Sequence, residues 1–227
     1  MLEKQAVITV TGAAEIRVQP DEVVLFLDVS KQHKDLQIAK KANDESIAKI
    51  LDVTRRYGIL PQNVQTNYIA VDMKYESVGT ARGSYSADDF ETEKRVFRGY
   101  VVSKTVMVRL TDITKFEEFF SEVLKTGLSE VRNVQFETSK LREHRDKARE
   151  QAMKAAKEKA TALAAAIGQS IGKAIQITEN GGSPHFSPMQ NVMNFSGGAG
   201  SFSEGSATFA PGSIKVDAQV SVVFELK

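Results

Sequence analysis

Residues 141–168 read LREHRDKAREQAMKAAKEKATALAAAIG, and no other stretch restricts the fold as tightly. Met153, Ala156, Ala160, Leu163 and Ile167 recur at helical spacing and share one face, which Ala152 and Ala164 widen. Lys154, Lys157, Glu158 and Thr161 fall on the opposite, wet face. Alanine has the best helix propensity and loses no side-chain entropy, so a long helix is expected. A helix with one apolar face needs a partner, and small side chains let it sit close to a sheet. Gly168 follows the last apolar residue, where a left-handed residue ends helices.

Strand-like runs flank this helix. Residues 6–18 read as a strand broken near Gly12 and Ala13, and Pro20-Asp21 marks a turn. Residues 23–29 are almost wholly apolar, as in a central strand, and the two runs are expected to pair as a hairpin. Over residues 35–57 the period changes: Leu36, Ala39, Asn43, Ile47, Ile50 and Thr54 make an amphipathic helix that Gly58 ends. Strands follow at 64–75 and 95–110, separated by a polar, variable loop at 76–93. Thr111-Asp112 caps a short helix lined by Phe116, Phe119, Phe120, Val123 and Leu124, which Gly127 ends. Residues 131–138 form a strand with Val134 and Phe136 buried, and further strands lie at 173–178 and 213–226.

The order is β-β-α-β-β-α-β-α-β-β. Strands in runs with single helices between them indicate an α+β fold with largely antiparallel sheet, and the alanine-rich helix packed on it. Residues 1–227 are expected to form a single unit. Within it, two subdomains would take about residues 1–75 with part of the later sheet, and about 95–227.

Thirty basic residues nearly balance 29 acidic ones, so no global field draws the chain to nucleic acid or anionic lipid. The absence of cysteine excludes disulfides, thiolate nucleophiles and Cys-based zinc sites. MLEKQAVITV has no basic segment followed by an apolar core, so either a leader has been removed or the protein is cytoplasmic. No run approaches a membrane-spanning length.

The usual chemical signatures are weak. His33, His144 and His185 have no partner at ligand spacing. Asp88, Asp89, Glu91 and Glu93 lack the alternation of a calcium loop. The glycines at 197, 198 and 200 lack the GK[ST] and helix of a phosphate cradle. The basic residues at 140–149 are interleaved with acids, which suits intrahelical pairing better than a phosphate-tracking stripe. Residues 180–212 are a different case: a long Gly/Ser-rich, aperiodic loop carrying Phe186, Met189, Met193, Phe195, Phe202 and Phe209. Apolar residues spaced this way build no core of their own, so they either fold back over the sheet or dock on another subunit or partner. Edge strands at 6–18 or 213–226 would add β-pairing between copies.

Several local motifs combine in one order. Pro20-Asp21 follows the first strand, and Tyr57-Gly58-Ile59 with Asn63-Val64-Gln65-Thr66 closes the first helix. Gly99-Tyr100-Val101 and Val131-Arg132-Asn133-Val134 come next. Last is the run from Lys147-Ala148-Arg149 to Ile167-Gly168, followed by Ile171-Gly172. In this the chain resembles the SIMPL-domain family, found in bacterial envelope proteins and in a mammalian kinase-associated signalling protein. The resemblance spans about residues 6–224. It implies an α+β domain of the periplasm or cell envelope, linked to stress defence and able to form oligomers, with no established catalytic residues. A non-enzymatic protein acting by self-assembly or partner binding is therefore expected, with no cofactor, metal or small-molecule ligand. The alternatives are an enzyme with a cleft site and a cytoplasmic adaptor.

Overall fold

The computed structural model describes residues 6–78, 94–180 and 211–227. In chain order the elements are β1 Val7–Val18, β2 Glu22–His33, α1 Leu36–Arg56, β3 Val64–Val78 and β4 Lys94–Leu110. They continue with α2 Phe116–Leu124, β5 Glu130–Glu137, α3 Leu141–Ala166, β6 Ile171–Asn180 and β7 Ile214–Leu226. This is the expected order, in two antiparallel sheets, β1-β7-β6 and β3-β4-β2-β5. The chain divides into two compact units, Met1–Asp21 with Phe136–Lys227, and Glu22–Gln135.

In the first unit α3 lies on the β1-β7-β6 sheet. Val10, Val220, Val222 and Phe224 pack against Ala152, Ala156 and Ala160. Ala148, Ala152, Ala156, Ala160 and Ala164, one residue in four, are all wholly buried. The buried stripe therefore differs from the expected one: Leu163 is 48% exposed and Ile167 66%. A four-residue step on a helix of 3.6 residues per turn drifts by roughly 40°, so the contact line crosses the helix obliquely and leaves those two side chains behind at its end. β1 is also continuous through Gly12. A Cβ there would lie 2.6 Å from the Ala156 amide nitrogen and 2.8 Å from its Cβ, so this glycine marks a close helix approach rather than a break.

β1 and β2 do not form the expected hairpin. β1 pairs with β7, Val7 opposite Glu225 through Val18 opposite Ile214, whereas β2 pairs with β4. A tight hairpin turn needs positive φ, which Pro20 cannot supply. Asp21 is committed elsewhere: its amide donates to the Glu137 carbonyl, and its carboxylate accepts from the Ser139 amide and hydroxyl, both at 2.7 Å.

In the second unit α1 packs on β2 and β4. Asp35 caps α1 by accepting from the Gln37 and Ile38 amides, and Gly58 leaves it at φ 70°. Ile50 and Val53 lie in a core with Leu25, Leu27, Val106 and Val108. Asn43, wholly buried, donates through Nδ2 to the carbonyls of Val29 and Val102, at 2.8 and 2.9 Å, tying the helix to both strands. α2 buries Phe116, Phe119 and Val123, and Tyr57 meets Phe119 edge-on. Leu124 is exposed and α2 stops there, ahead of Gly127. Val134 and Phe136 are only half-buried, β5 being the outer strand of its sheet.

Candidate protein-interaction surface

β3 ends its sheet and is rich in β-branched and aromatic residues, which favour extended backbone. Its partner β4 has α1 and β2 against it, but among the described residues β3 itself has only β4 beside it in the sheet. Ile69 is 64% exposed, Val71 53%, Met73 60% and Tyr75 47%. They alternate along one face, opposite Lys104, Val102, Tyr100 and Phe97 of β4. Tyr68 and Val78 add apolar surface to the other face.

Beyond Tyr100, β4 has lost β2, since the β2–β4 register ends with His33 opposite Tyr100. Among the described residues, 94–99 form a ladder with β3 alone, as a two-stranded arm. Such a ribbon is marginal in water, and aromatic contacts hold this one. Tyr75 meets Phe97 edge-on at 5.6 Å between ring centroids, and Phe97 meets Tyr100 at 5.2 Å. Arg98 pairs with Glu76 across the arm. The register shifts between Lys74 and Tyr75, and Gly99, at φ 133° against the His33 carbonyl, makes the irregularity possible. At the root of the ribbon Lys104 bonds to Asp44, which also takes Lys40 at 2.6 Å. The Lys104 ammonium, then that of Lys40, holds the Asp44 carboxyl below its ordinary value.

Sequence reasoning missed this surface. It took 64–75 as a strand, but edge position depends on which strands pair, which the pattern does not state. The expected edge at 213–226 is overturned: β7 is the middle strand, between β1 and β6. β1 is an edge, as expected. Phe186, Met189, Met193, Phe195, Phe202 and Phe209 lie outside the described residues. So do Asp88, Asp89, Glu91, Glu93, His185 and the glycine run.

Several other polar groups serve local structure. His33 Nδ1 accepts from the Asp35 amide at 2.9 Å. Ser129 Oγ bridges the backbone of Ser30, accepting from its amide and donating to its carbonyl, while Arg132 pairs with Asp28. A shallow groove between α1 and α2 is lined by Arg56, Tyr57, Glu117, Glu118, Ser121 and Glu122. Lys125, then Arg56, holds the Glu122 carboxyl below its ordinary value. Among the described residues no three His, Asp or Glu side chains are placed to share a metal ion, and no helix is long and apolar enough to cross a membrane.

The sequence pattern of the SIMPL family, described as a protein of unknown function (DUF541), matches residues 8–224. The chain belongs to the SIMPL family. Among its relatives is the uncharacterized protein YggE of Edwardsiella ictaluri, 30% identical over 64% of this chain and 56% of that protein, so this match spans little more than half the relative's length. The YggE of Escherichia coli strain K12 is 26% identical over 97% of this chain and 83% of its own length. The 26 kDa periplasmic immunogenic protein of Brucella melitensis is 27% identical over the whole of this chain and 87% of its own. Among the described residues the outer edge of β3 has no strand beside it, and the side chains along it alternate between the two faces.

Proposed function

We propose that this chain is an envelope protein that acts by binding protein, either copies of itself or a partner, and not by turning over a small molecule. The observation that carries this reading is the apolar edge of β3, uncovered among the described residues, with its aromatic arm. Soluble proteins manage long apolar edges with charge, bulges or cover, and an edge left free in its middle marks a pairing site. The composition favours the same reading, since no Ser/His/Asp set or thiolate is grouped by spacing. A periplasmic setting is supported by the relative whose name places it there. A part in stress defence rests on the family resemblance alone.

Size-exclusion chromatography with light scattering tests the reading. The expected result is a defined species above the 24.9 kDa of one chain, or a stable complex with an envelope protein. A robust turnover abolished by one polar point substitution would overturn it.

A further inference from the structure

We propose that the partner at β3 is a second copy of this chain, paired antiparallel about Met73 so that one sheet runs through two molecules. The proposal deepens the protein-binding reading and rests on it.

The run Tyr68–Val78 is unbroken on β3. One register shift falls at Asn67, ahead of this run, and the extra residue at the other shift is Arg98 of β4. Met73 is the midpoint. A two-fold axis there sets Asp72 opposite Lys74 of the second copy, and Lys74 opposite its Asp72. Neither residue makes an ion pair among the described residues. On the face bearing Met73, Val71 meets Tyr75 and Ile69 meets Ser77, so the exposed apolar stripe continues across the seam. On the other face Ala70 meets Glu76 and Tyr68 meets Val78.

Charge selects this register over its neighbours. A two-fold antiparallel pair keeps each face, so the axis moves in whole-residue steps along the strand. Centred on residue 72, Asp72 opposes itself; centred on residue 74, Lys74 opposes itself and Asp72 meets Glu76. Centred on Tyr75, Lys74 meets Glu76, but Arg98 already holds Glu76 and the paired run shortens to 72–78. The β6 edge offers less: its register shifts twice, and its Glu179 is bound by Arg149 at 2.7 Å.

The charge pair supplies the test. Asp72→Lys and Lys74→Asp each put like charges opposite one another twice, and each is expected to weaken self-association about tenfold or more in a dilution series followed by light scattering. The double variant Asp72→Lys/Lys74→Asp restores it, as does mixing the two single variants. Because the chain has no cysteine, Met73→Cys with a short bismaleimide links only copy to copy, and Ile177→Cys on β6 serves as the unlinked control. Association that ignores the single substitutions, a double variant that fails to recover, or equal linking at both positions overturns the β3 pairing and leaves the protein-binding reading standing. A chain that stays monomeric at every concentration also overturns the pairing, with binding to a different protein then the surviving reading.

Discussion

A methyl group added at Gly12 would point from β1 into the backbone of α3, 2.6 Å from the Ala156 nitrogen. Neither side yields cheaply, because the atom it meets is helix backbone and β1 is held along its length by β7. Gly12→Ala is expected to lower unfolding free energy by about 1–3 kcal/mol in urea, with the slope unchanged; an unshifted midpoint would contradict the close approach. A lone glycine in a strand pattern fits a break or a tight contact equally, and only the opposing helix decides which. Asp21 is the second residue whose role needs its partner. Burial pushes its carboxyl up, but the hydroxyl and amide bonds from Ser139 outweigh this and hold it below its ordinary value. Its stabilisation is therefore complete above the ordinary carboxyl range and is lost as pH falls through the lower, folded value. Asp21→Ala should be destabilised at neutral pH and flatten the acid limb of a urea-midpoint profile. A parallel offset at every pH would argue against this linkage.

Strands and helices with strong alternation were legible from residues alone: α1 through Ala39, Asn43, Ile47 and Ile50, and β7 through Val216, Val220, Val222 and Phe224. The face of α3 was not, because alanine carries too little hydrophobicity to outvote Leu163 and Ile167 in a periodicity argument. The β1–β2 pairing failed for a different reason: adjacency in sequence predicts pairing only when the turn permits it, and Asp21 is tied to the start of α3 instead. The β3–β4 arm makes an element-scale prediction. Its order depends on the Tyr75–Phe97–Tyr100 chain of rings, so Phe97→Ala should raise amide exchange over residues 94–98 while leaving residues 101–110 of β4, which also pair with β2, protected. Uniform loss of protection across β4 would mean that the rings support the whole sheet.

At the scale of the molecule, family membership and class were readable because many weak motifs kept one order, and the matched span, 8–224, covers nearly the whole chain. The candidate residues of 180–212 stand out by composition, and composition assigns no position in a fold. Asn180 sits opposite Gln219 while β7 starts at Ile214, so the two strand ends are offset along β7 and a direct splice would be too short. Replacing residues 181–210 with a Gly/Ser linker of roughly ten residues should leave the melting temperature within a few degrees and the β3 pairing intact. A collapse of association in that variant would move the assembly role to the removed aromatics. The alanines of α3 have one more consequence. A ladder of identical rungs does not distinguish one rung from the next, so shifting α3 by four residues, about 6 Å along its axis with a rotation of roughly 40°, sets each alanine where its neighbour was. Packing fixes how close the helix lies but not how far along it rests. The Asp21–Ser139 clasp at one end and Arg149 on Glu179 act as the pawl of this ratchet, so misfolding in this unit should occur in four-residue steps.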